Sequence, residues 1–133
     1  MTGMRYHTLG RTNLSVSALA LGTVELGIDY GIDAPGHFRR PSEMDAIDLV
    51  HATLDADINF IDTARSYGES EAVLGKALQG RRDRVVLATK VTTQLPNGSL
   101  PTGTTLRRHM FDSLDTSLRL LQTDYAAIPG GRI

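Results

Sequence analysis

The chain has 133 residues, 41% of them hydrophobic and 22% charged, with a net charge of -1 and no cysteine. Length and composition predict one globular domain, and the balanced charge gives no electrostatic case for a nucleic acid or an anionic membrane as partner. The lack of cysteine excludes disulfides, thiolate metal sites and cysteine nucleophiles, and fits a reducing cytoplasm, where we place the protein. No apolar run approaches the roughly 20 residues of a membrane span, and "MTGMRYHTLG" lacks the apolar core of a signal peptide. With no Trp, three Phe and four Tyr, a stacking platform for single-stranded nucleic acid is not expected.

In chain order, "RYHTLGRTNLSVSALALGT" reads as a hairpin punctuated by Gly10 and Asn13, followed by a first core strand over Ala18 to Thr23. The stretch from Leu26 to Pro41 is rich in Gly, Asp and Pro and reads as a long loop. Ser42 caps the next helix, which runs to about Asp57 with Ile47, Val50 and Leu54 on one face. "NFIDTA" is a short strand. Ser70 is expected to cap a second helix, with Val73, Leu74, Ala77 and Leu78 as its stripe and Gly80 as its stop. "RVVLATKV" is a β-branched run of the kind found in a strand covered on both faces. A breaker-rich loop follows, and then a helix from about Thr105 to Leu121 with Leu106, Met110, Leu114, Leu118 and Leu121 as its stripe. Met4, Met44 and Met110 read as core or chain-start residues, and His7, His37, His51 and His109 as structural or solvated, without metal-ligand spacing.

Strands alternating with helices imply βαβ units, a parallel sheet, and all strand-to-helix loops on one rim. Asp62 ends the second core strand, Tyr67 lies in the loop beyond it, and Lys90 ends the third. Phe60 shares a face with Asp62, and Ala88 with Lys90. Singly, such residues are ordinary: Asp caps turns, Tyr packs, Lys reaches solvent. Together on one rim they have a chemical use. A free phenol has a pKa of about 10, and an adjacent ammonium favours its ionised form. A carboxylate would hold that ammonium in place, and the result would be a proton donor for a carbonyl oxygen. The sequence has no G-x-S-x-G elbow, Walker loop or G-x-G-x-x-G fingerprint.

At these residues the sequence resembles the aldo-keto reductase superfamily. The likeness runs from "LGRTNLSVSALALGT" through "DINFIDTARSYGESEAVLGKAL" and "RVVLATKV" to "SLDTSLRLLQTDY", or from Met4 to Tyr125. It implies an α/β fold, the N-terminal portion of a (β/α)8 TIM barrel with a hairpin closing its bottom. It implies NADPH-dependent reduction of a small aldehyde or ketone, with Tyr67 as general acid and Asp62 and Lys90 as its tuners. Gly22, Thr23 and Asp62 would lie by the cofactor's nicotinamide end. The family's fourth strand, "x-DLL-x-x-H" in form, carries a histidine that completes a tetrad; here the text is "TDYAAIPGGRI". We therefore expect a partial reductase domain with a non-family tail over 126–133 and an incomplete barrel. Its open edges and inner face should promote self-association. The alternative is a non-catalytic, reductase-like fragment or interaction module.

Overall fold

The computed structural model describes residues 3–31, 39–128 and 131–132. Strands β1 (Tyr6–Thr8) and β2 (Ser15–Ser17) form an antiparallel hairpin. The main sheet has the order β3-β4-β5-β6-β7, where β3 is Ala20–Gly22, β4 Phe60–Asp62, β5 Val86–Ala88, β6 Ala127–Ile128 and β7 Gly131–Arg132. Strands β3 to β6 are parallel; β7 turns back antiparallel on β6. The helices are α1 (Val24–Gly27), α2 (Glu43–Asp55), α3 (Ser70–Ala77) and α4 (Gly103–Leu120), with one 3-10 turn at Arg82–Arg84.

Register explains the two faces. Leu21, Ile61 and Leu87 stand side by side across the sheet and face the helices. There they meet Val50 and Leu54 of α2 and Leu74, Ala77 and Leu78 of α3 in one apolar core. Each fully buried Leu or Ile contributes about 1.5–3 kcal/mol. The opposite face carries Gly22 and Asp62, paired in register, and it is open: Gly22 is exposed and Asp62 half-exposed. The described strands thus form part of a barrel wall, without closure.

The expected elements are present, with differences; the loop expected from Leu26 to Pro41 begins inside α1, and its residues 32–38, His37 among them, lie outside the described residues. Ser42 caps α2 as expected, accepting the Asp45 N–H at 3.1 Å. Ser70 does not cap α3. It is the first helical residue, because hydrogen-bonded turns from Ala64 to Ser70 already carry the chain into the helix, and it is fully buried against Thr23. The stripe of α4 is rotated from the expected one. Ser113, Leu114 and Ser117 are its buried residues, since small side chains allow the helix to lie close, while Met110 is 37% exposed. Leu106, Met110 and Phe111 instead line an open apolar cleft of about 410 Å³ with Val91. Met44 is likewise no core residue; it is 74% exposed on α2. Finally, the segment beyond Tyr125, for which no strand was expected, forms the short strands β6 and β7. Ala127 pairs beside Ala88, in the fourth parallel position.

The hairpin sits at the amino end of the sheet, away from the rim. Asn59 ties it there, its Oδ1 accepting from Ser17 N–H at 2.8 Å and its Nδ2 donating to the Ser15 carbonyl at 3.0 Å. Arg82 closes the same end. It donates to Thr123 Oγ1, Val85 O and Tyr125 O, and its guanidinium lies 3.9 Å from the centre of the Tyr125 ring. Burial pulls its pKa below the usual arginine value, against the opposing charges of Tyr125 and Asp124.

Candidate active site

The site is built at the carboxyl rim of β4 and β5. Asp62 is the last residue of β4, and alternation points it to the open face. Lys90 lies two residues beyond β5, where the backbone is anchored by Arg65 N–H donating to the Lys90 carbonyl at 3.2 Å. The Lys90 ammonium donates to both oxygens of Asp62, at 2.9 and 2.7 Å, and to the Thr63 carbonyl at 3.1 Å. Its nitrogen lies 5.2 Å from the centre of the Tyr67 ring. The structure therefore brings Asp62, Tyr67 and Lys90 together, as the spacing of the sequence predicts.

The electrostatics favour a charged lysine. Partial burial pulls the Lys90 ammonium down. The hydrogen bond and charge of Asp62, with Tyr67 beside it, outweigh that effect, and the pKa is raised. Lys90 and Asp62 keep 45% and 39% of their side chains exposed, so the pair faces solvent on the open side of the sheet.

Tyr67 is placed by a tight loop. Its N–H donates to the Ala64 carbonyl at 3.0 Å, and its own carbonyl accepts from Ser70 N–H at 3.0 Å. Gly68 takes φ +52, a conformation glycine adopts without strain. Gly27 of α1 approaches so closely that a Cβ there would lie 1.6 Å from the Tyr67 carbonyl oxygen.

The two glycine-strand positions separate. Gly22 stands beside Asp62 on the open face, with no atom within 4 Å of where a Cβ would be. Thr23 is fully buried. Its hydroxyl donates to the Asp62 carbonyl at 2.9 Å and accepts from Ser70 Oγ at 2.8 Å, and Ser70 Oγ also meets Thr63 Oγ1 at 3.0 Å. The Thr23 side chain thus supports the Asp62 backbone from within the fold and is not on the open face.

Sequence reasoning missed Glu71. Its side chain is wholly buried, with Arg65 Nη1 at 2.6 Å and Thr89 Oγ1 at 2.7 Å. The signal was there: Glu71, Leu74 and Leu78 fall at i, i+3 and i+7, which puts an acid on the buried stripe of α3.

Comparison with known proteins gives the family of the chain. Residues 18–128 match the model of the Aldo/keto reductase family. The chain is 36% identical over 128 residues to Aldo-keto reductase YhdN of Bacillus subtilis, covering 92% of this chain and 36% of that protein. Its fold superposes on the holo form of aldo-keto reductase AKR11C1 from Bacillus halodurans with a TM-score of 0.71, at 32% identity, over 92% of this chain and 38% of that one. An aldo-keto reductase from Klebsiella pneumoniae solved in complex with NADPH gives a TM-score of 0.64 at 29% identity, over 92% of this chain and 37% of that one. The chain thus spans little more than a third of the length of these relatives. It belongs to the aldo/keto reductase family.

Proposed function

We propose that Asp62, Tyr67 and Lys90 are the proton-donating half of a carbonyl-reducing site that acts on a small aldehyde or ketone. The observation that carries this reading is the Lys90 ammonium, fixed on Asp62 at 2.7 Å and held beside the Tyr67 ring. Tyr67 gives its phenolic proton to the carbonyl oxygen, and the positive charge of Lys90 stabilises the phenolate that remains. Asp62 keeps the ammonium oriented. Solvent returns the proton to Tyr67, which the open face permits.

NADPH is the hydride source we infer; when bound, it supplies hydride to the carbonyl carbon. The residues present fit its nicotinamide end. Gly22 leaves the open face beside Asp62 clear, with no atom within 4 Å of its Cβ position. The site of action we infer is the cytoplasm, supported by a cysteine-free chain; no helix among the described residues is long and apolar enough to cross a membrane.

A second reading is supported by the exposure of the pair. With Asp62 and Lys90 more than a third open to water, and with Met110 and Phe111 exposed on α4, the chain is a reductase-like module that associates with itself or another chain through its open faces. One experiment separates the two readings. NADPH oxidation is followed with a small aldehyde, for the chain and for Tyr67→Phe. Turnover that falls about 10²–10⁴-fold in Tyr67→Phe supports the enzyme. No turnover in the parent chain, or equal turnover in both, supports the module.

A further inference from the structure

Both ends of the loop that carries Tyr67 meet one carboxylate. Arg65, two residues before Tyr67, donates to Glu71 Oε2 at 2.6 Å; Glu71 lies four residues after Tyr67, in the first turn of α3. The other oxygen, Oε1, accepts from Thr89 Oγ1 at 2.7 Å. Thr89 immediately precedes Lys90, so alternation turns Thr89 inward to Glu71 while Lys90 faces the rim. Glu71 and Thr89 are fully buried, and the Arg65 side chain is 26% exposed. The backbone runs parallel to this bridge. Thr63 N–H donates to the Ala88 carbonyl at 2.9 Å and Arg65 N–H to the Lys90 carbonyl at 3.2 Å.

We propose that Glu71 is a positioning residue of the site: its buried carboxylate clamps the Tyr67 loop to Thr89 and so sets the distance between the Tyr67 ring and the Lys90 ammonium. This rests on the reading of Tyr67 and Lys90 as partners in proton donation. Stability alone does not explain a buried ion pair here, because well-packed apolar residues of similar volume commonly serve the fold as well or better. Geometry does. A carboxylate has two directed acceptors, and these two join three segments at fixed lengths. A reacting group displaced by about 1 Å loses about 10²-fold in rate, so a fixed spacing has a use.

The test reads the spacing directly. The Tyr67 ring shields the Lys90 side chain, so its Hε protons carry a ring-current shift in NMR spectra of the full chain. Tyr67→Leu supplies the zero. The double substitution Arg65→Met with Glu71→Leu replaces the ion pair by apolar side chains, and Thr89→Val cuts the arm to the strand while leaving the ion pair. Each variant is expected to lose at least half of the Lys90 shift while keeping the parent's helical circular dichroism. A smaller loss in either folded variant overturns the proposal and leaves Glu71 a residue of the fold alone. Thr89→Val decides the matter if the double substitution does not fold. Reduction kinetics on the same proteins keep the two readings apart. Absence of turnover in the parent chain sinks the enzyme reading, whereas the NMR shift reports on the clamp in either case.

Discussion

Gly27→Ala is the perturbation that probes the site's framework most sharply. The backbone at Gly27 is helical and has no need of glycine's conformational range; what it lacks is space. An added Cβ would lie 1.6 Å from the Tyr67 carbonyl oxygen, 2.6 Å from Ser70 N and 2.8 Å from Ser70 Cβ. Real Cβ contacts stay beyond 3.0 Å, so opening 1.6 Å to 3.0 Å requires about 1.4 Å of backbone movement. Neither side yields easily. The Tyr67 carbonyl accepts the Ser70 N–H at 3.0 Å, the Gly27 carbonyl accepts Glu69 N–H at 3.3 Å, and Ser70 is fully buried. Overpacking of this kind costs about 1–3 kcal/mol. Urea unfolding should show that loss, and the Tyr67–Ser70 amide resonances should move together. Gly22→Ala is the control, since no atom lies within 4 Å of its Cβ position, and it should stay within about 0.5 kcal/mol of the parent. Equal stability of Gly27→Ala and the parent, with unmoved amides, would refute the claim that α1 braces the tyrosine loop.

Three further outcomes are expected. Gly22→Val should leave the unfolding midpoint nearly unchanged and weaken NADPH binding at least tenfold in a fluorescence titration; unaltered binding would remove Gly22 from the cofactor reading. Arg82→Ala leaves the part-buried Val85 carbonyl without its donor and should cost about 1–3 kcal/mol in chemical denaturation, the range for a buried group left unpaired. The Lys90 contribution depends on pH with a definite sign. Its folded pKa is raised, so the stability it adds is fully present below the unfolded value of about 10.4 and is lost as pH rises through the folded value. The stability difference between the parent and Lys90→Met should therefore be constant from neutral pH to about pH 10 and shrink above it.

The parts of the fold that were legible in the sequence are those set by local chemistry. Ser42 with Asp45 marks the start of α2, and the apolar run around Leu87 marks a strand, although helices cover only one face of the sheet and not both as the run suggests. The rim followed from topology alone, because parallel βαβ units place Asp62, Tyr67 and Lys90 at one edge. What stayed hidden depends on partners distant in sequence. The burial of Ser70 is decided by Thr23, 47 residues away, and that contact overrides the residue's capping preference. The face of α4 that packs is decided by α3, where Gly75 meets the Leu120 carbonyl so closely that a Cβ would lie 2.1 Å from it. Periodicity gives a stripe but not which side of it another helix will occupy. Glu71 escaped for a similar reason: an acid in a first helical turn reads as a partner for the helix dipole until Arg65 and Thr89 are seen around it.

The same contrast separates what holds the fold from what performs the chemistry. The Lys90–Asp62 pair is the more exposed of the two ion pairs near Tyr67, and exposed pairs contribute only about 0–1 kcal/mol. Its energy is too small to fix its own geometry. The rigidity comes from the layer beneath, where Thr23, Thr63 and Ser70 hydrogen-bond one another, Thr23 supports the Asp62 carbonyl, and Glu71 holds Arg65 and Thr89. Removing a partner from the dry layer should cost far more. Glu71→Ala uncouples a buried pair and is expected to lose about 3–5 kcal/mol. Lys90→Met should lose less than about 1 kcal/mol at neutral pH, and Asp62→Asn the same. Denaturation curves for the three variants decide it. If Lys90→Met proved as destabilising as Glu71→Ala, the rim pair would be part of the scaffold, and its place beside Tyr67 would need no chemical explanation.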